Sequence, residues 1–128
     1  MQPSRWVERR GGAAAGTGIA FASRLPLHRY RDIPGFLRDT QAVRAQLREA
    51  PGLAGYSLRA QFLRKTFWTL SLWESGPDLA LFAAGDRHRG VAAGLANRVK
   101  VPLFVRWPHE LKDGPPTWSA ARTRLAAE

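Results

Sequence analysis

The sequence contains no cysteine, which removes several classes of protein at once. A disulfide framework, a thiolate metal site and a cysteine nucleophile are all excluded. This absence fits a reducing environment, and we expect a cytoplasmic protein. The longest apolar runs fall far short of the about 20 residues that a membrane helix needs, so the sequence predicts no membrane span.

Acidic residues are also scarce, with 10 Asp and Glu against 20 Lys and Arg and a formal charge of +10. The carboxylates are too few and too dispersed to predict a catalytic pair, and no Gly-rich phosphate loop, nucleophile elbow or zinc-protease motif is present. The three histidines lack metal-site spacing, so no metal is expected, and His28 and His109 are predicted in exposed loops. The basic residues are scattered along the chain rather than massed in one tail, which disfavours nucleic acid as a partner.

The sequence has enough length and apolar content for one domain. It has 128 residues, of which 45% are hydrophobic, and domains cluster near about 100–150 residues. Residues 1–18 carry three arginines and a Gly and Ala run without the period of a helix or a strand. We therefore predict a mobile leader over 1–18 and a single domain over 19–128.

Hydrophobic periodicity predicts an alternation of strands and helices in this domain. The order strand, helix, strand, strand, helix, strand is that of the split βαβ, ferredoxin-like (βαββαβ) fold, an α+β arrangement with helices on one face of an antiparallel sheet. Open sheet edges and an apolar second face predict a homodimer. The predicted elements are a strand over 19–25, an amphipathic helix from Asp32 to Pro51, hairpin strands over 56–62 and 66–73, a helix from Ser75 that breaks at Gly85 and restarts at Asp86, an edge strand over 99–107, and a C-terminal helix over 118–127.

The segment from Thr66 to Ser75, followed by Leu79, Phe82 and His88, resembles the dimeric α/β-barrel superfamily of antibiotic-biosynthesis monooxygenase-like proteins. The likeness runs over 19–107, and it extends more loosely to spheroidene monooxygenase-like proteins. It implies two ferredoxin-like subunits whose sheets close into one barrel, each with a small-molecule cavity between sheet and helices. The superfamily includes cofactor-independent monooxygenases of polycyclic aromatic substrates, haem-degrading enzymes, isomerases, cyclases and stress proteins.

The same resemblance bears on haem. The alignment implied by the resemblance gives the haem-degrading branch a Trp at the position of Phe82 and the iron-ligating His at the position of Ala92. This chain has neither residue at those positions, which argues against haem cleavage of that type. His88, one turn earlier, leaves another haem-binding geometry open. The sequence therefore predicts that no cofactor is required, with haem as the alternative.

His88 is the candidate catalytic residue. It lies on an apolar helical stripe with Val91, Ala92 and Leu95, which should point it toward the sheet. A neutral imidazole there can act as a general base near physiological pH. The alternative is a buried, hydrogen-bonded histidine that fixes the helix break.

One face of the third predicted strand mixes aromatic side chains with small hydroxyls. This composition is typical of a pocket that holds an aromatic ligand by area and orients it by a few hydrogen bonds, although a half-packed face with local hydrogen bonds would look the same. The predicted substrate-binding residues are Ser23, Phe67, Thr69, Ser71, Trp73 and Phe82.

Three arginines occupy minority positions of three different strands: Arg24, Arg59 and Arg106. On one common face they would form an anion-binding surface suited to carboxylates or phenolates. The alternative is a solvated sheet face or a subunit contact.

These observations favour a small-molecule tailoring enzyme, a monooxygenase-type enzyme for a hydrophobic aromatic or polyene substrate; a cyclase or isomerase also fits the resemblance. In the cofactor-free version, the deprotonated substrate itself passes an electron to oxygen. One alternative is a non-catalytic protein that binds haem or a hydrophobic metabolite in the same pocket. The other is an RNA-binding module, because RNA-recognition motifs share this element order, although their glycine positions are missing here.

Overall fold

The computed structural model describes residues 6–8, 16–84 and 98–127. In these ranges five strands form one antiparallel sheet in the order β1-β3-β4-β2-β5. The strands are β1 (Val7–Glu8), β2 (Thr17–Pro26), β3 (Leu53–Gln61), β4 (Thr66–Trp73) and β5 (Leu103–Glu110); the helices are α1 (Ile33–Leu47), α2 (Gly76–Ala83) and α3 (Trp118–Ala126), with short 3-10 turns at Tyr30–Asp32, Phe62–Arg64 and Leu111–Asp113.

The predicted ferredoxin-like fold class is confirmed. Strand β4 lies between β3 and β2, and β5 pairs with the other side of β2, which is the arrangement expected of the split βαβ order. The predicted restart of the second helix at Asp86 lies outside the described residues, and so do His88 and Ala92. None of the described helices is long and apolar enough to span a membrane.

Strand β1 lies within the segment that the sequence predicted as a leader. Val7 pairs with Tyr56 and Glu8 with Gly55, so these two residues extend the sheet beyond β3. Gly55 is required for this contact because a Cβ atom there would collide with the indole of Trp6. A strand of two residues has no periodicity to detect, which explains why the hydrophobic pattern did not predict it.

Turn chemistry sets the ends of the elements around α1 and α2. Gly52 has a φ of 79°, and a Cβ atom on it would collide with the side chain of Asp78. Ser75 caps α2, since its Oγ accepts a hydrogen bond from the backbone N–H of Asp78 at 3.2 Å. Asp32 holds the N-cap position of α1 but makes no side-chain capping bond, because it already belongs to a 3-10 turn.

Strand β5 is an edge strand in the described sheet, as predicted, but it starts later and ends later than expected. Val99 makes only an isolated bridge with Leu27, and the continuous ladder with β2 begins at Leu103. Pro102 lies between the two and has no N–H to donate to the ladder. The strand then continues to Glu110, which pairs with Thr17.

The two faces of the sheet are covered by different helices. Helices α1 and α2 pack on one face, which we call the helix face, around buried residues such as Phe36, Tyr56 and Trp73. Helix α3 covers the opposite face, where Ala121 and Leu125 are buried in one cluster with the strand residues Ala20, Ala22, Leu70, Leu72 and Trp107. The sequence predicted helices on one face of the sheet, but the C-terminal helix packs on the other face and adds a third layer to the fold.

We expect Leu125→Ala to destabilise the protein by about 2–5 kcal/mol, because it leaves a cavity between α3 and the sheet. Urea unfolding followed by circular dichroism would measure the change. Leu63→Ala is the matched control, since that side chain is exposed and should change the free energy of unfolding little. Equal losses in the two variants would contradict the packing described for α3.

Candidate functional site

The strand register brings the predicted hydroxyl residues together on the helix face. Ser23 of β2 lies directly opposite Thr69 of β4. The neighbouring row on the same face places Phe21 opposite Ser71. Side chains two residues apart share a face, so Phe67 and Trp73 belong to the same side of β4. The predicted strand residues therefore form one group.

Two hydrogen bonds define the polar part of this group. Ser23 Oγ and Thr69 Oγ1 lie 2.5 Å apart, and Ser23 is buried. One hydroxyl donates to the other, which leaves one hydrogen of the pair to donate to a ligand. Ser71 Oγ accepts a hydrogen bond from Trp73 Nε1 at 2.9 Å and can still donate its own hydrogen. The Ser23–Thr69 pair and Ser71 thus each keep one hydroxyl hydrogen that can be donated to a ligand on the helix face.

The aromatic members of the predicted pocket are packed into the core. The ring of Phe67 lies 4.4 Å from that of Phe36, between centroids. Trp73 is 1% exposed, and its ring lies 5.2 Å from that of Phe82. These contacts pack Phe67 against α1 and Trp73 against α2. Phe67, Trp73 and Phe82 therefore fix the shape of this face more than they offer free surface.

Sequence reasoning missed the aromatic pair at the β2–β5 side of the helix face. The rings of Phe21 and Phe104 stack with centroids 6.1 Å apart and planes inclined by 17°, and Phe104 is 53% exposed. Arg106 lies opposite Phe21 and is also exposed. The alternation of β5 was the available signal, but the pairing of β5 with β2 is needed to show that Phe104, Arg106 and Ser23 share a face.

The three predicted arginines do not share a face. Arg24 and Arg59 both lie opposite Trp68, on the face that α3 covers, whereas Arg106 lies on the helix face. The Arg24 guanidinium is 5.6 Å from the Trp68 ring centroid, a cation–π distance. Arg59 Nε is buried without a hydrogen-bond partner. The three arginines therefore do not form a single anion-binding surface. Of the three, only Arg106 lies on the same face as the hydroxyl side chains of Ser23 and Thr69.

The histidines have separate positions. His88 lies outside the described residues, so its role stays a sequence prediction. His28 is exposed, as predicted. His109 belongs to β5 rather than to a loop, and its Nε2 donates to the carbonyl oxygen of Gly114 at 2.8 Å. The described ranges contain no group of three or more His, Cys, Asp or Glu side chains that could hold a metal ion.

Comparison with known proteins gives a likeness of structure. No family model matches the sequence, and no curated protein matches it. Solved structures do match. A proposed antibiotic biosynthesis monooxygenase from Caulobacter crescentus is 18% identical with a TM-score of 0.63, over 73% of this chain and 89% of that one. The cofactor-independent oxygenase SnoaB from Streptomyces nogalater is 14% identical with a TM-score of 0.59, over 72% and 92%.

A third match, the protein Rv0793 from Mycobacterium tuberculosis, is 12% identical with a TM-score of 0.64, over 70% of this chain and 92% of that one. Identities this low establish the fold alone. The structures therefore confirm the antibiotic-biosynthesis monooxygenase-like fold that the sequence resemblance predicted.

Proposed function

We propose that this protein is a monooxygenase-type tailoring enzyme that binds a hydrophobic aromatic or polyene substrate on the helix face of its sheet. The observation that carries the proposal is the Ser23–Thr69 hydroxyl pair beside the stacked rings of Phe21 and Phe104. A planar apolar ligand gains contact area from the rings and orientation from the hydroxyls.

Arg106 gives this face a charge preference. It lies next to the aromatic stack, and a guanidinium forms strong hydrogen bonds with oxygen anions. The proposed substrate therefore carries a carboxylate, a phenol that can ionise, or a carbonyl whose enolate forms during the reaction. In the last two cases Arg106 stabilises charge that develops as the substrate loses a proton.

The proposed chemistry needs no cofactor. SnoaB, a solved structure with a similar fold, is a cofactor-independent oxygenase, which supports this choice. Loss of a proton from an activated methylene gives a carbanion that passes an electron to dioxygen. Overall, the methylene becomes a carbonyl with one oxygen atom, and the other oxygen leaves as water with the two hydrogens. His88 is the proposed proton acceptor, on the sequence argument given above.

The test begins with an absorption spectrum of the purified protein and continues with oxygen uptake on a panel of hydroxylated polycyclic aromatics. We expect no Soret band, oxygen consumption with some panel members, and one labelled oxygen atom from dioxygen in the product. A Soret band would replace the cofactor-free mechanism with a haem reaction. Tight binding of a panel member without oxygen consumption would contradict the enzyme and favour a metabolite-binding protein.

Thr69→Val should weaken binding of the active substrate about tenfold, because it removes, without changing shape, the hydroxyl that fixes the direction of the hydrogen bond from the pair to the ligand, at a cost of about one hydrogen bond. Isothermal titration would measure the dissociation constant. Thr66→Val is the matched control: Thr66 lies on the same strand, and its hydroxyl bonds to the carbonyl oxygen of Arg64. Equal effects of the two substitutions would mean that the hydroxyl pair does not face the ligand.

The proposal also includes a homodimer, which the sequence predicted. The barrel implied by the resemblance would use the sheet face opposite α1 and α2. In this chain α3 packs on that face. A barrel dimer therefore requires α3 to leave its own sheet. Sedimentation of the full chain and of Leu125→Ala would show whether each protein is a monomer or a dimer.

A further inference from the structure

Three segments meet at the end of the sheet where β2 finishes: residues 28–31, 62–65 and 98–101. We call this surface the basic tip. Backbone and side-chain hydrogen bonds join the segments, so they form one surface and not three separate loops. Two bonds join the segments directly, from His28 N to Arg98 O (2.8 Å) and from Tyr30 Oη to Leu63 O (2.6 Å). Leu27, which immediately precedes the first segment, also donates its N–H to Lys65 O (2.7 Å).

The charge of the basic tip has one sign. Its three segments contain no carboxylate. Arg98 is paired with Asp39 of α1 at 2.9 Å. The other cations of the tip are exposed, apart from the half-buried Lys65: Arg29, Arg31, Arg64, Lys65 and Lys100. A surface of this charge attracts polyanions or a layer of anionic headgroups.

The basic tip also carries an exposed aliphatic side chain. Leu63 lies in the 3-10 turn at Phe62–Arg64 and is 88% exposed. The turn is anchored rather than loose, because the ring of Phe62 contacts that of Phe67 edge-on with centroids 5.7 Å apart. Lys65 ends the turn with a φ of 53°, in the left-handed region. The structure therefore holds an apolar side chain outward among cations.

We propose that the basic tip docks on an anionic lipid surface, with Leu63 entering the boundary between headgroups and acyl chains and the surrounding cations contacting headgroups. Charge complementarity and the exposed side chain of Leu63 together fit this partner. The proposal goes beyond the proposed function and does not depend on any turnover.

The aromatic chemistry of the tip argues for lipid over single-stranded RNA. RNA binding in this kind of fold uses open aromatic rings on which bases stack. Two rings of the tip are exposed, and both are already in contact. The ring of Tyr30 has the Lys65 ammonium 4.7 Å from its centroid, and its hydroxyl donates to the carbonyl oxygen of Leu63. The ring of Phe62 packs edge-on against Phe67. Leu63 and Val101, the exposed aliphatic residues, have no π face.

Vesicle flotation would test the proposal with the full chain. We expect binding to phosphatidylcholine vesicles that contain about a quarter phosphatidylserine, little binding to phosphatidylcholine alone, and loss of binding as salt rises. Arg31→Glu with Arg64→Glu should lower the partition coefficient at least about 25-fold, since each surface cation contributes about fivefold. Leu63→Ser should lower it about tenfold.

Matched controls separate the effect of the tip residues on vesicle binding from the effects of net charge and of general hydrophobicity. Lys112→Glu with Arg122→Glu makes the same charge change on exposed residues beyond the far end of β5 and on α3. Leu81→Ser removes a leucine that is 61% exposed on α2. Both controls should bind vesicles within about twofold of the unaltered chain, because neither lies at the tip. Circular dichroism would show that every variant is folded.

Three results would overturn the proposal. The first is no flotation with anionic vesicles, or an equal loss in the control charge pair. The second is a protein that does not bind vesicles but binds a single-stranded RNA oligonucleotide tightly, with that binding abolished by Arg31→Glu together with Arg64→Glu. The third is a dimer that Leu63→Ser dissociates in sedimentation, which would make the tip a contact between subunits.

Discussion

Trp73→Ala is expected to reduce the free energy of unfolding by about 3–5 kcal/mol, the largest stability effect of any substitution considered for this protein. Trp73 is 1% exposed and packs against Phe82 of α2 at a centroid distance of 5.2 Å. Its cluster also contains Leu47, Leu53 and Leu79, so the indole joins α1, α2 and the sheet. Removing it opens a cavity where three elements meet.

The contribution of the indole N–H can be separated from that of its volume. Trp73→Phe keeps most of the volume but loses the hydrogen bond to Ser71 Oγ, so it should recover more than half of the stability that Trp73→Ala loses. Urea unfolding by circular dichroism avoids the change in tryptophan fluorescence. A loss no greater than that of Trp118→Ala, at a half-buried tryptophan, would contradict the central position of Trp73.

His88→Ala is expected to lower kcat by about 100- to 10,000-fold, the range that a general acid or base contributes. The reason is the sequence pattern, which places the imidazole on the apolar stripe that should face the sheet. Oxygen uptake with the substrate found in the panel would measure the change. The substrate should still bind, because the hydroxyls and rings of the helix face are intact.

A second histidine provides the control for this experiment. His28 is exposed, and His28→Ala should leave kcat within about twofold of the unaltered protein. Circular dichroism and thermal unfolding would show whether His88→Ala remains folded. Full activity in a folded His88→Ala protein would exclude His88 as the proton acceptor, whereas loss of the fold would support the alternative of a structural histidine.

Elements with strong local signals were predicted well. The bounds of β4 agree with the structure because a basic turn precedes it and Ser75 begins the next helix. The predicted stop at Pro51 and Gly52 lies a few residues beyond the observed end of α1 at Leu47, and the positive φ of Gly52 belongs to the turn that leads into β3. β1 depends on a contact between Trp6 and Gly55, which are distant in sequence, so local patterns could not reveal it.

The candidate site was predicted in part for a similar reason. Alternation placed Thr69 and Ser71 on one face of β4, but only the register with β2 shows that Ser23 lies opposite Thr69. A shift of one residue in that register would have moved Ser23 to the other face. The register between β5 and β2 likewise separates Arg106 from Arg24. Arg24 lies opposite Leu103 on one face, whereas Arg106 lies opposite Phe21 on the other.

Helix α3 competes with any protein partner that would bind the sheet face opposite α1 and α2. Only the segment at 111–117 connects β5 to α3, so the tethered helix is present at an effective concentration of the order of millimolar. A free partner that needs the same surface must bind tightly enough to displace a ligand at that concentration. The face covered by α3 therefore discriminates against weak and transient partners, and shortening the chain before Trp118 would remove that discrimination.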